Sequence, residues 1–256
     1  MKKSRIIDLS VTIVNNPKGS FIRSEIEYIG HQEGAEARGR DLHLPEGFFP
    51  DNKAAAEELA HISTHAGTHL DAPWHFAEIS EGKPAKKIDE IPLEWCYGDG
   101  VVLDFSHKKA GELISIEEVQ KALDKINYKL KPFDIVLIRT DASRHYGESG
   151  YEMMHPGMGR ESTLWLVEQG IKVMGIDAWG WDRPFNVLMQ EYKNGIKGTF
   201  LAAHFLMKEK EYLHVENLAN LNLIPVPYGF KVAIFPIKIK AASSGWVRAV
   251  AMMDEG

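Results

Sequence analysis

The stretch "ISTHAGTHLDAPWHF", residues 62–76, carries an unusual concentration of side chains that can bind a metal ion. Three histidines and one aspartate fall within eleven positions, namely His65, His69, Asp71 and His75. Imidazole nitrogen and carboxylate oxygen together suit Zn²⁺, Mn²⁺ or Fe²⁺. The alternative is a histidine-rich turn with a purely structural role, but burying this many polar groups without a partner costs stability. The pattern therefore favours the wall of a metal site.

Within this stretch, the chain is expected to be extended or turning rather than helical. Gly67 lies between the first two histidines and Pro73 follows soon after, and both residue types disfavour a helix interior. The helical two-histidine arrangement of the zinc proteases is therefore not expected. On a strand, His69 and Asp71 point to the same face because side chains alternate. A tight turn at Gly67 can bring His65 round to the same point.

Beyond the histidine-rich stretch, short apolar runs rich in β-branched residues predict buried strands. These runs are "GVVLDF" (100–105), "DIVLIRT" (134–140) and "IKVMGIDA" (171–178). Two predicted helices lie between them, "SIEEVQKALDKI" (115–126) and "ESTLWLVEQ" (161–169). The alternation of strand and helix predicts a βαβ core, and thus an α/β fold with a mixed sheet.

Local signals refine this outline. Ser115 and Glu118 have the spacing of a capping box at the start of the first helix. The tail, "FKVAIFPIKIKAASSGWVRAVAMM" (230–253), is interpreted as two strands around a Ser-Ser-Gly turn. Residues 16–56 and 141–160 are rich in Gly, Pro, Asn and Asp and are expected to be long loops, which in compact domains are often functional.

Composition restricts the class of protein. The chain has 256 residues, 44% of them hydrophobic, and a single domain over 1–256 is expected. A net charge of −6 argues against nucleic-acid binding, which needs clustered Lys and Arg. The one cysteine, Cys96, excludes an intrachain disulfide and a thiolate zinc cluster. No run approaches the roughly twenty apolar residues of a membrane helix, and the opening residues lack the apolar core of a signal peptide, so a soluble cytoplasmic protein is expected.

The motif "HAGTHLDAPWHF" resembles the signature His-x-Gly-Thr-His-x-Asp-x-Pro-x-His of the cyclase family, which includes bacterial kynurenine formamidases, isatin hydrolases and related metal-dependent hydrolases. The similarity extends to "IIDLSVTI", to "GVVLDFS", "DIVLIRT" and "VMGIDAWGWD", and to a closing hairpin in "FPIKIKAASSGWVRAVA". The resemblance implies a swivelling β/β/α-type domain, with a mixed, partly barrel-like sheet and flanking helices.

The resemblance also implies two ligands in the C-terminal third, a histidine and a glutamate twelve residues apart. His204 and Glu216 match that spacing, and His214 is a competitor ranked below His204. In the implied scheme, His65, His69 and Asp71 hold a first ion, and Asp71 bridges to a second ion held by His204 and Glu216. His75 is the implied proton donor and acceptor. The ions are Zn²⁺ or Mn²⁺, and the sequence leaves one ion or two open.

Aromatic residues suggest where a substrate binds. Trp74 and Phe76 flank His75, and Trp179 and Trp181 sit in "DAWGWDRPF" (177–185). Each pair of aromatic residues can wall a pocket for a planar or apolar substrate, or the two tryptophans can be plugs of the core. Arg183 can bind a substrate carboxylate or form a salt bridge within its loop.

A metal with an open coordination position, together with a histidine that moves protons near neutral pH, predicts hydrolysis of an amide, formamide, cyclic amide, lactone or ester of a small molecule. No Gly-x-Ser-x-Gly elbow supports a serine esterase. Two alternatives stay open: a metal-assisted cyclase or lyase that uses the same site, and a non-catalytic metal-binding or ligand-binding protein. By resemblance, a homodimer or homotetramer is expected, with neither nucleic acid nor membrane as a partner.

Overall fold

The computed structural model describes residues 4–16 and 21–254, which divide between two compact units. The larger unit comprises the chain up to Thr12 and from Gly67 onward, and the smaller one comprises Ile13–Ala66. The single-domain organisation expected from the sequence stays a prediction.

The strands are short, and in chain order they are β1 (Ser4–Asp8), β2 (Ser24–Ile29), β3 (Glu57–Ile62), β4 (His69–Asp71), β5 (Ile79–Ser80), β6 (Lys83–Pro84), β7 (Tyr97–Asp104), β8 (Leu113–Ile114), β9 (Ile135–Arg139), β10 (Gly157–Met158), β11 (Val173–Ile176), β12 (Leu213–Glu216), β13 (Tyr228–Ala233), β14 (Ser244–Trp246) and β15 (Val250–Asp254). The expected strands at 100–105, 134–140 and 171–178 correspond to β7, β9 and β11 and are confirmed.

The α-helices are α1 (His31–Asp41), α2 (Ile116–Lys125), α3 (Arg160–Glu168), α4 (Phe185–Lys193) and α5 (Ala202–Phe205). Short 3-10 turns occupy Pro50–Asn52, Pro73–His75, Ile88–Glu90, Leu93–Cys96, Ala142–His145, Tyr151–Met153, Leu206–Lys208 and Leu221–Leu223. The capping box of α2 is confirmed, because the backbone N–H of Ser115 donates to Glu118 Oε2 at 2.9 Å and the N–H of Glu118 donates to Ser115 Oγ. Across residues 4–16 and 21–254, no helix is both long and apolar enough to cross a membrane.

Nine strands of the larger unit form one curled, half-barrel sheet in the order β1-β15-β13-β7-β9-β11-β12-β4-β14. The central run β7, β9, β11 and β12 is parallel, and the flanking pairs are antiparallel. Helices α2 and α3 supply the crossovers between successive parallel strands, as right-handed βαβ units require. The expected α/β fold with a mixed, partly barrel-like sheet and flanking helices is confirmed.

The two faces of the sheet are buried in separate hydrophobic clusters, because side chains alternate along each strand. Val101 and Leu103 of β7 face one cluster, whereas Val102 faces the other. The first cluster includes Val119 of α2 and Leu166 of α3, so helices cover that face. The second cluster gathers residues from strands around the whole sheet, and this curled face is closed largely by the sheet itself.

The expected long loop at 16–56 is wrong for part of its length, because the smaller unit contains β2 and α1 there. Helix α1, "HQEGAEARGRD", is polar almost throughout, so it lacks the apolar periodicity that identifies a helix in a sequence. Its start is fixed instead by Glu33, whose carboxylate accepts the backbone N–H of Gly30. Residues 141–160 contain two 3-10 turns and the two-residue strand β10.

The C-terminal tail contains three strands rather than the two expected at 230–253. Strand β13 pairs with β15, as a hairpin would, but the Ser-Ser-Gly segment does not form the turn between them. Ser244 instead begins β14, which pairs with β4 and not with β13 or β15. Hydrophobic alternation identifies strands but not their partners. The sequence therefore did not predict that β14 pairs with β4 of the histidine-rich stretch.

Candidate metal centre

The candidate site lies where β4 and β12 pair as antiparallel neighbours. Asp71 is opposite His214, and His69 is opposite Glu216. The residues between them, Leu70 and Val215, point into the curled hydrophobic cluster. Alternation therefore places four potential ligands on the opposite face of the sheet, two from each strand. The expectation that His69 and Asp71 share one face of an extended strand is confirmed.

The nitrogen and oxygen atoms at the ends of these four side chains are close together. Nε2 of His69 lies 3.4 Å from Oδ1 of Asp71 and 3.6 Å from Oε2 of Glu216. Nε2 of His214 lies 3.3 Å from Oδ2 of Asp71 and 3.5 Å from Oε1 of Glu216. All four side chains are buried. Each imidazole thus contacts carboxylates from both strands.

Helix α5 adds His204 to this group. Leu201, in the left-handed region at φ 47°, directs the chain into the helix. Nε2 of His204 lies 3.3 Å from Oε1 of Glu216 and 4.0 Å from Oδ2 of Asp71. The ligand atoms of Asp71, His204, His214 and Glu216 all lie within 4.8 Å of one another, and we call these four residues the buried ligand group.

The buried ligand group fits a divalent metal ion. Bond lengths of 2.0–2.2 Å to nitrogen and oxygen place neighbouring ligand atoms of a tetrahedral site about 3.4 Å apart, close to the distances between these side chains. Among residues 4–16 and 21–254, Nδ1 of His214 has no hydrogen-bond partner, although it is fully buried. Buried carboxylates and imidazoles of this density need a compensating charge. The mixed donor set suits Zn²⁺ or Mn²⁺ better than Ca²⁺ or Mg²⁺, which prefer oxygen alone.

Electrostatics prepare the group for a cation. Burial favours the neutral form of His204, but hydrogen bonds to Asp182 and Glu216 outweigh it and raise the pKa of His204 to about 10. Burial would raise the pKa of Glu216, but its contacts with His204 and His214 hold that pKa well below its usual value. Glu216 is therefore ionised. His204 is protonated, so a metal ion that binds His204 must displace a proton from its imidazole.

His75 occupies the more open side of the site. It ends the 3-10 turn that Pro73 begins, and its side chain is 27% exposed. Its Nε2 lies 3.7 Å from Oδ2 of Asp71, and its ring packs edge-on against Phe76 with centroids 4.6 Å apart. A partly exposed imidazole beside a buried carboxylate can exchange protons with solvent.

His65 lies in the smaller unit, two residues before the larger unit begins along the chain. It is half-buried, and its backbone N–H donates to Oγ of Ser63 at 3.2 Å. Its role as a metal ligand stays a prediction.

At two positions in the loop after β11, the structure favours one of the two alternatives that the sequence left open. Trp181 is fully buried, and its indole stacks on the ring of His214 at 5.7 Å with an interplanar angle of 10°. It is therefore not an exposed pocket wall, because it fills the core behind the ligand group. Arg183 forms a two-pronged ion pair with Glu191 of α4, with both contacts at 2.7 Å. The loop salt bridge, one of the two alternatives, is thus present.

The remaining predicted substrate contacts are partly accessible. Trp179 is half-buried and packs edge-on against Phe185 at 5.5 Å. Trp74 is 36% exposed and lies beneath the ammonium group of Lys87. Phe76 packs against the imidazole of His204 with centroids 4.7 Å apart. These three side chains keep their predicted role in binding a substrate.

The sequence underrated His214 and missed Asp182, which contacts the ring of His204. A signal for His214 was present in "LHVEN" (213–217). There His214 and Glu216 stand two apart between apolar residues, the same i, i+2 pattern that identified His69 and Asp71. Asp182 carried no comparable signal, since its partner lies 22 residues away.

Comparisons with known proteins give relatives of this chain by sequence and by fold. The Cyclase family model, described as "Putative cyclase", matches residues 7–183. A kynurenine formamidase of Bacillus cereus (strain ZK / E33L) is 27% identical over 190 residues, which cover 74% of this chain and 76% of that protein. The family match includes the histidine-rich stretch and ends before His204, so it does not cover the C-terminal members of the buried ligand group.

Two solved structures share the fold. Isatin hydrolase A from Ralstonia solanacearum is 22% identical, with a TM-score of 0.77, over 98% of this chain and 92% of that chain. Isatin hydrolase A from Labrenzia aggregata, bound to benzyl benzoate, is 23% identical, with a TM-score of 0.73, over 98% of this chain and 94% of that chain.

Proposed function

The chain belongs to the Cyclase family, and we propose that it is a metal-dependent hydrolase that cleaves a C–N or C–O bond next to a carbonyl group of a small molecule. The observation that carries this proposal is the buried ligand group of Asp71, His204, His214 and Glu216, with His75 on its open side. A purely structural metal site closes its coordination and needs no neighbouring proton carrier.

The proposed ligands divide between two neighbouring positions. His65, His69 and Asp71 are proposed for one ion, and His204, Glu216 and the newly identified His214 for another, with Asp71 shared. One or two ions of Zn²⁺ or Mn²⁺ fit this donor set. Held by these residues, an ion would supply a bound water with a pKa lowered from 15.7 to about 7 and would polarise a substrate carbonyl.

His75 is the proposed proton carrier. An imidazole titrates near neutral pH, so it can accept a proton from the attacking water and return it to the leaving nitrogen or oxygen. The carboxyl group of Asp71, with Oδ2 3.7 Å from Nε2, is placed to stabilise the imidazolium form between these two steps. The 3-10 turn after Pro73 holds the ring in place, and Phe76 packs against its edge.

An amide is the favoured substrate class. A curated relative is a kynurenine formamidase, and structural neighbours are isatin hydrolases, so formamides and cyclic amides come first and lactones or esters second. Trp74, Phe76 and Trp179 offer aromatic surfaces for a planar substrate. The net charge of −6 does not favour nucleic acid. We further propose a cytoplasmic setting and a homodimer or homotetramer.

The test uses the metal-free protein with Zn²⁺ or Mn²⁺ restored. N-formyl aryl amines, isatins, cyclic imides and lactones are then screened, and products are weighed by mass spectrometry. Hydrolysis of a cyclic substrate gives one product heavier by the mass of one water, and hydrolysis of an N-formyl aryl amine gives the free amine and formate, whose masses sum to that of the substrate plus one water. A product of unchanged mass, or products whose masses sum to that of the substrate alone, indicate a cyclase or lyase. Metal binding without turnover on any substrate would favour a binding protein. His145→Asn is the control, because this histidine is exposed and pairs with Glu148 away from the ligand group.

A further inference from the structure

The two residues Trp181 and Asp182 lie behind the buried ligand group on the loop that follows β11. Both are buried, at 0% and 3% exposure. Their backbone is fixed from the other side by β10, since the N–H of Met158 donates to the carbonyl oxygen of Trp181 at 2.8 Å. We call these two residues the support segment.

Asp182 determines how His204 presents its ring. Its Oδ2 lies 2.6 Å from Nδ1 of His204 and also accepts the backbone N–H of His204 at 3.0 Å. Its Oδ1 accepts the N–H of Ala203 at 3.0 Å. A carboxylate can only accept, so Nδ1 must carry the hydrogen. Nδ1 keeps its hydrogen when a metal ion binds, so the nitrogen that gives up its proton and bonds the metal is Nε2, which faces Asp71 and Glu216.

Trp181 contacts two other members of the ligand group. Its backbone N–H donates to Oε1 of Glu216 at 2.8 Å. Its indole lies parallel to the imidazole of His214, with centroids 5.7 Å apart. The indole is held in turn by Thr163 of α3, whose Oγ1 accepts the Nε1–H at 3.0 Å. The orientation of Glu216 and of His214 thus depends on one tryptophan.

We infer that the support segment is the positioning element of the metal centre, with Asp182 setting the tautomer of His204 and Trp181 orienting Glu216 and His214. Two consecutive residues therefore act on three of the four members of the buried ligand group. Neither residue contacts substrate in this scheme. The inference rests on the proposed function only in requiring that the site hold a metal ion.

The decisive variant is Asp182→Asn. An amide NH₂ that faces Nδ1 of His204 favours the hydrogen on Nε2, where it blocks the metal bond. We expect metal affinity, measured by competition with a chelator, to fall about 10–100-fold, the usual range for an outer partner of a metal-bound histidine. The absorption spectrum of the Co²⁺-substituted protein should change as well, because the ligand field reports ligand orientation.

A matched control separates positioning from general destabilisation. Asp177 is a buried carboxylate of the same loop, but it accepts hydrogen bonds from Thr140 and Asp141 instead of a proposed ligand. Asp177→Asn should change the melting temperature of the metal-free protein while it leaves the Co²⁺ spectrum and the metal affinity close to wild type. Equal losses of affinity in the two variants would overturn the inference.

Asp182 also binds backbone N–H groups of α5, so its substitution can impair folding. Thr163→Val provides a second route, because it removes the acceptor of the indole N–H without touching a proposed ligand. We expect a loss of metal affinity of a few-fold and an altered Co²⁺ spectrum. A wild-type spectrum in Thr163→Val, or an unchanged affinity in a folded Asp182→Asn, would overturn the inference.

The outcomes also distinguish this inference from the proposed function. If the wild-type protein binds metal and Asp182→Asn weakens binding, the inference holds even where no substrate is hydrolysed. If wild type hydrolyses a substrate but neither variant alters binding, the inference alone falls. If wild type binds neither Zn²⁺, Mn²⁺ nor Co²⁺, both fall.

Discussion

His69 and His204 are oriented by hydrogen bonds whose acceptors differ in their distance along the chain and in their charge. Nδ1 of His69 lies 2.9 Å from the backbone carbonyl oxygen of Gly67, two residues earlier. Nδ1 of His204 lies 2.6 Å from the carboxylate of Asp182, 22 residues earlier. The first ring is held by its own turn and a neutral acceptor, and the second by a separate loop and a charged acceptor, which makes the stronger bond.

This difference separates the site into a locally supported part on β4 and a remotely supported part on β12 and α5. Changes in the loop after β11 should act on the second part and spare the first. A charged partner also makes an imidazole a better electron donor to a metal, so His204 depends more on its support than His69 does. Substitutions in each part test this division, and the first concerns Asp71, which both parts share.

Asp71 should show the largest effect, because it belongs to β4 and yet contacts His214 and His204. Asp71→Asn keeps the shape of the side chain but removes its charge from both parts. We expect loss of metal from the whole site, and a fall in kcat/KM well beyond the roughly 10–100-fold typical of an outer partner. Metal content by elemental analysis and kinetics on one batch check this. Full metal content in the variant would contradict it.

His75 should show a large effect on rate with little effect on metal. His75→Asn removes the proposed proton carrier on the β4 side, so kcat should fall about 10²–10⁴-fold while the metal stays bound. The limb of the pH–rate profile that belongs to the imidazole should flatten. A kcat within a factor of a few of wild type would remove His75 from the mechanism, and loss of metal would make it a ligand.

Substitution of Trp181, which supports the remote part, should lower the stability of the folded protein. Trp181→Ala removes a fully buried side chain and should lower the free energy of unfolding by about 3–5 kcal/mol. Trp179→Ala, at a half-buried position, should cost much less and should instead raise KM for an aromatic substrate. Denaturant unfolding beside steady-state kinetics distinguishes the two. Equal losses of stability would show that both tryptophans are plugs of the core.

Asp177 should show the smallest effect, which is a change in how the free energy of unfolding depends on pH. Burial raises its pKa to about 7, although hydrogen bonds from Thr140 and Asp141 oppose the shift. The folded state then keeps this proton up to about pH 7, whereas the unfolded chain loses it near pH 3.9. Between these values the folded state binds more protons, so stability falls as the pH rises, by at most about 4 kcal/mol.

Asp177→Asn should remove this contribution. Unfolding free energies measured at several pH values between 4 and 8 should decline less steeply in the variant than in wild type. An identical slope in the two proteins would show that the Asp177 carboxyl is ionised throughout this range.

The predictability of the site follows the same division. The candidate ligands on β4 were readable because a glycine, a proline and four side chains that can bind a metal ion fall within one short stretch, so local chemistry specifies local structure. His214 was underrated because its strand is only four residues long and its meaning depends on pairing with β4. Asp182 was missed because nothing in a sequence marks a carboxylate whose partner is distant.

The fold shows a similar contrast. Strands β7, β9 and β11 and helix α2 were predicted because buried runs and a capping box are local signals. Helix α1 was missed because its residues are almost all polar, and the hydrophobic pattern carries no information there. The course of the tail was missed because strand partners are chosen by packing across the whole sheet.

In the sheet, β4 lies between β12 and β14, both of which come from the C-terminal part of the chain. During synthesis, the motif histidines leave the ribosome well before either neighbour of their strand exists. Until then, His69 and Asp71 belong to a segment without its sheet partners, and nascent-chain binding of an ion there would be weak and unselective. Pairings so distant in sequence also form slowly. The four residues of the buried ligand group therefore come together only after β12 has been synthesised, so an ion can be bound by the complete group only from that point on.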